Sequence, residues 1–593
     1  MPHGLGAVDM FKILSYLGRK EWMMIGTAVI FIITQVWLDL QLPEYMGTIT
    51  TLVTSGGEMS EVLKYGSYMI LCAFGSLATA VVVGYLAAKM AASHAQTLRS
   101  RQFEKVDSFS MAEINKFSTA SLITRSTNDV TQVQMIVTMG LQIAVKAPIL
   151  AVWALMRISN SSFEWTMAMG VAVIIMILFF AVVILLVMPK FKKMQVLTDD
   201  LNKVVRENLT GLPVVRAYNA EGYQESKFED ANRELTDTQL YTSRAMAVMM
   251  PAIGLIMNVL LLSIYWIGAI LINGAGMAER PSLFSDMIVF SSYSMQILVA
   301  FMMIAMLFIM LPRAQVAAKR INEVLDTGSS ITDGKGVETD PSRRGEIEFR
   351  NVYFKYQGAA DHVLKDISFK VVKGETVAFI GSTGSGKSTL INLIIRFYDA
   401  TEGTVLIDGA DVRDYKLEAL HDKIGYVPQK AVLFSGTVRS NVAFGEMERT
   451  ATEADVEEAV RIAQGREFVE KMDGKYSAPI SRGGNNVSGG QKQRLSIARA
   501  VAKKPEIYVF DDSFSALDYK TDRTLRTVLK RETHGATSII VAQRIGTIMD
   551  ADKIIVLDEG KVVGIGDHNE LLETCGVYRD IAVSQLSEKE LGI

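Results

Sequence analysis

Six long apolar runs in the first 311 residues constrain the fold of this chain more than any other feature of its sequence. Four of the runs contain no charged residue. A helix needs about 20 apolar residues to cross a hydrocarbon layer about 30 Å thick. Buried helices of a large soluble protein are the alternative, but six runs of this length favour six membrane-spanning helices. The runs cover residues 22–42, 65–88, 133–156, 165–188, 245–275 and 287–311.

The length and composition fit a membrane protein that carries a second domain. A chain of 593 residues is longer than one hydrophobic core supports. Hydrophobic residues make up 49% and charged residues 21%, which excludes a disordered chain and disfavours an ordinary soluble enzyme. The formal net charge of −3 indicates no nucleic-acid partner. Cys72 and Cys575 lie far apart in sequence and predict neither a disulfide scaffold nor a metal site.

The basic residues between the runs predict the orientation of the spans. The segment 43–63 contains no Lys or Arg, whereas the loops 93–132 and 190–244 contain five and nine. Because Lys and Arg are enriched in cytoplasmic loops, we place both termini and both long loops in the cytoplasm, as in a multi-pass cell-membrane protein. Prolines stand just past three of the runs, where helix ends are expected, namely Pro43, Pro189 and Pro312.

The two long loops carry periodic apolar residues between their charges, a pattern that is typical of helices rather than of flexible chain. We predict that the membrane helices extend into the cytoplasm. A short crosswise helix is expected to join each pair of extensions, at residues 111–117 and 212–220.

Charged residues inside the spans are rare, and Lys146 and Asp39 are the main candidates for a function there. Ionisable groups at membrane depth are costly, so a functional role is the first hypothesis. Lys146 and Asp39 are predicted to line a substrate cavity. A structural ion pair between them, or a Lys146 side chain that reaches the membrane surface, is the alternative.

The second half of the chain has the pattern of an α/β domain. From residue 345 onward, short β-like runs such as 347–354, 376–380 and 507–510 alternate with helical stretches. The polar segment 326–344 is predicted to be a linker. We therefore expect an all-α transmembrane domain at residues 1–325 and a nucleotide-binding domain at residues 345–593.

A glycine-rich loop follows the apolar run 376–380 and precedes a helical run. Such glycines let backbone N–H groups surround phosphate oxygens at a helix N-terminus. In this strand–loop–helix setting, Lys387 would reach the β- and γ-phosphates of a nucleotide, and Ser388 would bind Mg²⁺. The residues of this P-loop are Gly381, Ser382, Thr383, Gly384, Ser385, Gly386, Lys387, Ser388 and Thr389.

Two other segments carry residues suited to nucleotide chemistry. The apolar run 507–510 ends in Asp511, which would hold Mg²⁺, and in Asp512, at the position of a water-orienting base. The start of another predicted helix, at residues 488–491, can also bind phosphate. Because the P-loop already serves the chain's own nucleotide, this second start suggests a site shared across a dimer, although alone it could be a simple helix cap. Its residues are Ser488, Gly489, Gly490 and Gln491.

These motifs, in this order, resemble those of ATP-binding cassette (ABC) exporter half-transporters, in which six membrane helices are fused to one nucleotide-binding domain. The resemblance covers essentially the whole chain and implies ATP and Mg²⁺ as cofactors. It implies that Tyr356 stacks on adenine and that Gln429 contacts Mg²⁺ and signals to the membrane domain. It also implies that residues 488–491 are the family's signature motif, that residues 515–518 are its D-loop and that the crosswise helices are its coupling helices.

Three residues depart from the family's pattern. The catalytic Glu of the family is Asp512 here, its switch His is Gln543, and its acidic residue before the signature is Arg482. An Asp carboxylate is one methylene short of a Glu carboxylate, and a displacement of about 1 Å can cost about 100-fold in rate. Gln543 can form hydrogen bonds but cannot carry charge as His can. The changes at 512 and 543 predict a site that binds ATP well and hydrolyses it poorly, with neutral drift and a competent Asp512 as the alternative.

The resemblance implies a heterodimer, similar to bacterial heterodimeric multidrug exporters. The partner would be a homologous half-transporter with Glu and His at the two altered positions. Residues 488–491 would complete the partner's active ATP site, and ATP would drive export of amphipathic or hydrophobic compounds across the bilayer. A flippase for lipids or lipid-linked molecules is the nearest alternative. A nucleotide-gated regulatory or channel-like subunit is another.

Overall fold

The computed structural model describes residues 5–158, 162–445, 451–533 and 535–586. These residues form two compact units. The first unit comprises the residues up to Val106 together with Ala120–Asp326, and the second comprises Asp107–Thr119 and the residues from Thr327 onward. Both chain termini, which we predicted to be cytoplasmic, lie outside the described residues.

Long helices build the first unit, and six of those described are long and apolar enough to cross a membrane, which confirms the six predicted spans. With 37 to 54 residues each for α2, α3, α7, α9 and α10, they run well past a hydrocarbon layer of about 30 Å. The helices of the first 326 residues are α1 Leu5–Ser15, α2 Arg19–Ser55, α3 Met59–Asp107, α4 Met111–Phe117, α5 Thr119–Thr124, α6 Val130–Ile158, α7 Phe163–Thr210, α8 Leu212–Ala217, α9 Glu221–Gly274 and α10 Arg280–Asp326.

The prediction that three prolines mark helix ends is wrong. Pro43, Pro189 and Pro312 lie inside α2, α7 and α10. A proline removes one helix hydrogen bond and kinks the helix. In a membrane bundle, neighbouring helices and local adjustments satisfy the freed carbonyl, so the helix continues into its extension.

Both crosswise helices are present. The first, α4, has the predicted bounds because Ser110 and Glu113 form a capping box at its start and Ser118 turns the chain at φ 57°. The second, α8, ends at Ala217 instead of residue 220. Asn219 adopts the left-handed conformation with φ 49°, so the helix ends three residues earlier than its apolar pattern predicts.

The helix α4 is bonded to the second unit. The Glu113 carboxylate accepts a hydrogen bond from the Ser330 backbone N–H at 3.2 Å, and the hydroxyls of Ser110 and Ser330 are 2.8 Å apart. The Asn115 amide donates to the hydroxyl of Tyr398 at 3.0 Å. Residues 107–119, which the predicted boundaries placed in the transmembrane domain, are therefore grouped with the nucleotide-binding unit. The predicted linker, residues 326–344, begins at the last residue of α10 and contains a 3₁₀ turn, Pro341–Arg343.

The described residues of the second unit form three sheets, as expected for an α/β domain. The largest has the strand order β12-β11-β3-β10-β9-β6, and all of its neighbouring strands are parallel except β11 and β12. An antiparallel sheet has the order β2-β1-β4-β5, and β7 pairs with β8. The strands are β1 Ile347–Phe354, β2 Leu364–Val371, β3 Thr376–Gly381, β4 Glu402–Ile407, β5 Ala410–Asp411, β6 Ile424–Val427, β7 Gly436–Thr437, β8 Pro479–Ile480, β9 Ile507–Asp511, β10 Thr537–Val541, β11 Lys553–Asp558 and β12 Lys561–Gly566.

The helices of the second unit cover both faces of the parallel sheet. The central strand β3 is fully buried from residue 377 to residue 380, because the strand is covered on both faces. The helices are α11 Lys387–Ile394, α12 Leu417–Asp422, α13 Val438–Val442, α14 Glu453–Ile462, α15 Arg466–Lys471, α16 Gly489–Lys503, α17 Tyr519–Glu532, α18 Ile545–Ile548, α19 His568–Thr574 and α20 Gly576–Gln585.

Candidate nucleotide-binding site

The sheet topology brings three predicted segments to one edge. The strands β3, β10 and β9 are adjacent and parallel, so their carboxyl ends lie side by side. The P-loop follows β3, Gln543 follows β10, and Asp511 and Asp512 stand at the end of β9. Ligands of open α/β sheets bind outside the carboxyl ends of the strands.

The P-loop has the backbone of a phosphate cradle. Gly381 has φ 154°, and a Cβ atom there would lie 1.9 Å from the carbonyl oxygen of Leu557. The Lys387 ammonium donates hydrogen bonds to the carbonyls of Gly381 at 2.8 Å and Ser382 at 2.7 Å. Burial lowers the pKa of Lys387, while the carboxylates of Asp512 and Asp511 raise it. The loop thus holds a cation at the N-terminus of α11, where phosphate charge is favoured.

Ser388 and Asp511 form a pair of oxygen groups beside the loop. The Ser388 hydroxyl donates to the Asp511 carboxylate at 3.4 Å. Burial raises the pKa of Asp511, and the hydrogen bond from Ser388 opposes this rise. A hydroxyl next to a carboxylate, both at the phosphate cradle, suits Mg²⁺, which prefers oxygen ligands and keeps several waters. The residues present therefore fit this ion.

Asp512 is held by two amide side chains. Its Oδ2 atom accepts hydrogen bonds from the Gln543 amide at 2.9 Å and from the Gln429 amide at 3.3 Å. Its backbone lies in the left-handed region with φ 46°. Burial is the main cause that raises the pKa of Asp512, while hydrogen bonds from Gln429 and Ser515 oppose it. Two of the three residues that depart from the family pattern, Asp512 and Gln543, are thus in direct contact.

Tyr356 lies at the far end of the P-loop. Its hydroxyl is 3.0 Å from the hydroxyl of Thr389, and its ring packs edge-to-face against Phe354 and Tyr398 with centroids 4.8 and 5.2 Å away. The ring is partly exposed. An aromatic face fixed in this way is a platform for a nucleotide base.

We expect Tyr356→Ala to weaken ATP binding to the full-length chain, because base–aromatic stacking is worth about 1–3 kcal/mol. Tyr356→Phe retains the ring and is expected to keep most of the affinity. Binding can be measured on the purified chain in lipid nanodiscs, with inorganic tripolyphosphate, which has no base, as the control ligand. An unchanged ATP affinity in Tyr356→Ala would exclude the adenine platform.

The signature residues lie at the start of α16. Ser488 caps this helix, and its backbone N–H donates to the Gln491 side chain at 2.9 Å. Ser488 and Gly489 are exposed, and a Cβ atom on Gly489 would meet nothing within 4 Å. This helix start therefore offers free space to a ligand or a partner. Arg482, six residues before Ser488, is also exposed.

The membrane unit brings together the two predicted cavity residues. The Lys146 ammonium lies 3.2 Å from the Asp39 carboxylate, and both side chains are mostly buried. The Ser76 hydroxyl donates to the other Asp39 oxygen. The ion pair between Lys146 and Asp39, which the sequence analysis gave as the alternative to a cavity role, is therefore present.

Sequence reasoning missed two residues that hydrogen-bond to predicted site residues, Ser76 and Gln585. Ser76 carries no local signal, because serine is common in apolar spans and only the packing of α3 on α2 brings it to Asp39. Gln585 also carried no signal, although its side chain bonds the backbone of residues 543 and 545. Its distance of 42 residues from Gln543 hides the contact.

Comparisons with known proteins agree with this architecture. Residues 25–324 match the family model of the ABC transporter transmembrane region, and residues 364–515 match the ABC transporter model. An uncharacterized ABC transporter ATP-binding protein of Mycobacterium tuberculosis is 39% identical over 564 residues, 93% of this chain and 94% of that protein. An ATP-dependent lipid A-core flippase of Pseudomonas fluorescens is 32% identical over 498 residues, 83% of this chain and 81% of that protein.

The fold is also that of a solved exporter. The structure of a bacterial Atm1-family ABC exporter with ATP bound superposes with a TM-score of 0.80 at 24% identity, and the match covers 95% of this chain and 98% of that one. With both family regions in one polypeptide, this chain belongs to the ABC transporter family and has the exporter fold of a transmembrane domain fused to an ATP-binding domain.

Proposed function

We propose that this chain is the degenerate-site subunit of a heterodimeric ABC exporter. The observation that carries the proposal is the Asp512 carboxylate, one of whose oxygens is hydrogen-bonded by both Gln543 and Gln429. A carboxylate that is short by one methylene and tied to two amides is poorly placed to orient an attacking water. The chain's own site would therefore bind ATP and hydrolyse it slowly.

The residues at this site have separate tasks in binding. The P-loop N–H groups and Lys387 bind the phosphates, and Tyr356 stacks on the base. Ser388, Asp511 and Gln429 would hold Mg²⁺, which neutralises phosphate charge when it is bound. Gln543 donates a hydrogen bond but supplies no charge. ATP at this site would therefore stabilise the dimer and be hydrolysed only slowly.

The second ATP site would use the signature residues of this chain. Ser488 and Gly489 are exposed at the N-terminus of α16, where backbone N–H groups and the helix dipole favour an anion. In a head-to-tail pair of nucleotide-binding domains, they would cover the ATP on the partner's P-loop. The partner would supply Glu and His at the positions of Asp512 and Gln543, and its site would hydrolyse ATP for both chains.

Expression of this chain alone and together with such a partner tests the proposal. We expect the chain alone to show little ATP turnover and no stimulation by cargo, because a homodimer has Asp512 and Gln543 at both sites. Co-expression with a half-transporter encoded next to it is expected to give sustained, cargo-stimulated turnover, which also distinguishes an exporter from a nucleotide-gated channel. Robust stimulated ATPase activity of the chain alone would refute the heterodimer.

The cargo is proposed to be amphipathic or hydrophobic. Lys146 and Asp39 neutralise each other in the membrane unit, so this region presents polar groups without net charge. A lipid flippase is the second candidate, since relatives from Pseudomonas species are named lipid A-core flippases. Translocation of fluorescent lipids in proteoliposomes, compared with stimulation of ATPase activity by amphipathic drugs, separates the two. We place the protein in a bacterial cell membrane with its nucleotide-binding domain in the cytoplasm.

The Lys146–Asp39 pair can be tested for contact with cargo. A single change, Lys146→Met or Asp39→Asn, leaves one mostly buried charge without its partner, which destabilises the fold. The double variant removes both charges and is expected to fold. If the pair contacts cargo, the double variant still folds, but its ratio of cargo-stimulated to basal ATP turnover falls several-fold. A double variant with an unaltered ratio would assign the pair to structure alone.

A further inference from the structure

The last residue of α20 bonds to the loop that carries Gln543. The side-chain oxygen of Gln585 accepts a hydrogen bond from the Ile545 backbone N–H at 2.9 Å. Its side-chain nitrogen donates to the Gln543 backbone carbonyl at 2.8 Å. One carboxamide therefore binds the main chain on both sides of Arg544.

The helix α20 carries Gln585 at its exposed C-terminal end and is itself anchored by a buried face. Tyr578 and Ala582 are fully buried, and with Gln585 they lie on one face of the helix at spacings of four and three residues. The Tyr578 hydroxyl is 2.7 Å from Nδ1 of His568, which ties α20 to α19. The packed part of this face sets the position of the helix end, and two hydrogen bonds hold the exposed Gln585 side chain at the loop.

The backbone of the bonded loop has hydrogen bonds on both sides of Gln543, where Ala542 donates to the carbonyl of Phe379 and the carbonyl of Arg544 accepts from Thr547. Gln585 adds the bond at the Gln543 carbonyl itself. Gln543 and Arg544 are exposed, between the buried end of β10 at Val541 and the buried start of α18 at Ile545. An exposed loop of this kind samples several conformations unless its backbone is bonded. The side chain of Gln543 reaches Asp512 at 2.9 Å, so the backbone position of residue 543 decides where its amide points.

We infer that Gln585 is a positioning residue of the ATP site: it fixes the backbone of the switch loop so that the Gln543 amide stays at Asp512, beside the γ-phosphate. The inference rests on the proposed function, in which Gln543 occupies the switch position. Gln585 itself does not touch the nucleotide. Its loss should therefore alter recognition of the γ-phosphate and spare recognition of the base and the other phosphates.

The experiment compares ATP and ADP binding to the full-length chain in nanodiscs with Mg²⁺. Gln585→Met retains the length of the side chain and removes both hydrogen bonds. We expect its preference for ATP over ADP to fall about three- to tenfold, since each hydrogen bond contributes a modest net stabilisation, while ADP affinity is retained. Gln543→Ala should give the same loss, and the two changes together should not add.

Two variants separate this role from a general effect on the fold. Gln585→Glu keeps the acceptor for Ile545 but repels the Gln543 carbonyl, so it should reproduce the loss even if Gln585→Met folds poorly. Ser584→Ala, on the same helix, removes only a bond to the carbonyl of Ile581 and should leave the ATP-to-ADP preference as it was.

The outcomes distinguish the inference from the function on which it rests. If Gln543→Ala reduces the preference for ATP but both Gln585 variants retain it, the inference is overturned. Equal losses of ATP and ADP affinity in the Gln585 variants would also overturn it, because they indicate damage to the whole domain. If Gln543→Ala itself leaves the preference unchanged, the proposed switch position fails, and the inference fails with it.

Discussion

Gly489→Asp is expected to lower the steady-state ATP turnover of the assembled two-chain transporter at least about 100-fold. The new carboxylate would face the γ-phosphate on the partner's P-loop, and two like charges about 4 Å apart repel by about 4 kcal/mol at an effective dielectric constant of 20. The variant should still fold, because a side chain at Gly489 meets nothing within 4 Å and an acidic residue is favourable in the first turn of α16.

Two control variants accompany this measurement. Gly489→Ala adds a methyl group without charge and is expected to retain more turnover than Gly489→Asp. Asp512→Asn is expected to cost less than about threefold, because hydrolysis is assigned to the partner's site and a poorly placed base contributes little. The two-site asymmetry is contradicted if Asp512→Asn removes most of the turnover while Gly489→Asp retains it.

Lys387→Met is expected to weaken ATP binding at this chain's own site about 100-fold. The Lys387 ammonium is already positioned by two P-loop carbonyls, and hydrogen bonds from a charged group contribute about 1.5–3 kcal/mol, where 1.4 kcal/mol is tenfold. Direct binding of a fluorescent ATP analogue to the full-length chain measures the loss.

Lys373→Met is the matched control for Lys387→Met. Lys373 is exposed and precedes β3, at the opposite end of the strand from the P-loop. Lys373→Met should leave the ATP affinity within about twofold of that of the unmodified chain, because surface substitutions usually have small effects. If both substitutions weaken ATP binding equally, the effect comes from net charge and Lys387 loses its assigned role.

The parts of the fold that depend on local pattern were predictable from the sequence. Six apolar runs predicted six membrane helices, since span length is set by the bilayer. The apolar pattern predicted the bounds of α4, and in the structure a capping box of Ser110 and Glu113, which lie within one helical turn, forms its start. The P-loop was equally local, because its glycines, Lys387 and Ser388 act within nine consecutive residues.

Other features depend on tertiary contacts and were not predictable. Proline rules predicted a helix end at Pro189, but α7 continues to Thr210, because a bundle supports a helix that proline alone would end. The hydrogen bonds of Asp512 with Gln429 and Gln543 join residues 83 and 31 positions apart. The sequence showed that Asp512 and Gln543 depart from the family's pattern and that Gln429 matches it, and only the sheet order brought the two glutamines to one oxygen of Asp512.

The grouping of α4 with the second unit bears on how such transporters can be recombined. A chimera joined only at residue 326 would receive the β-sheets of one parent and the α4 helix of another. Its Ser330 and Tyr398 would then face a foreign helix in place of Glu113 and Asn115. Exchanging residues 107–119 together with the residues from Thr327 onward keeps these bonds within one parent. The unit that has to be exchanged is thus encoded by two separate segments of the gene, although its residues are in contact in the folded protein.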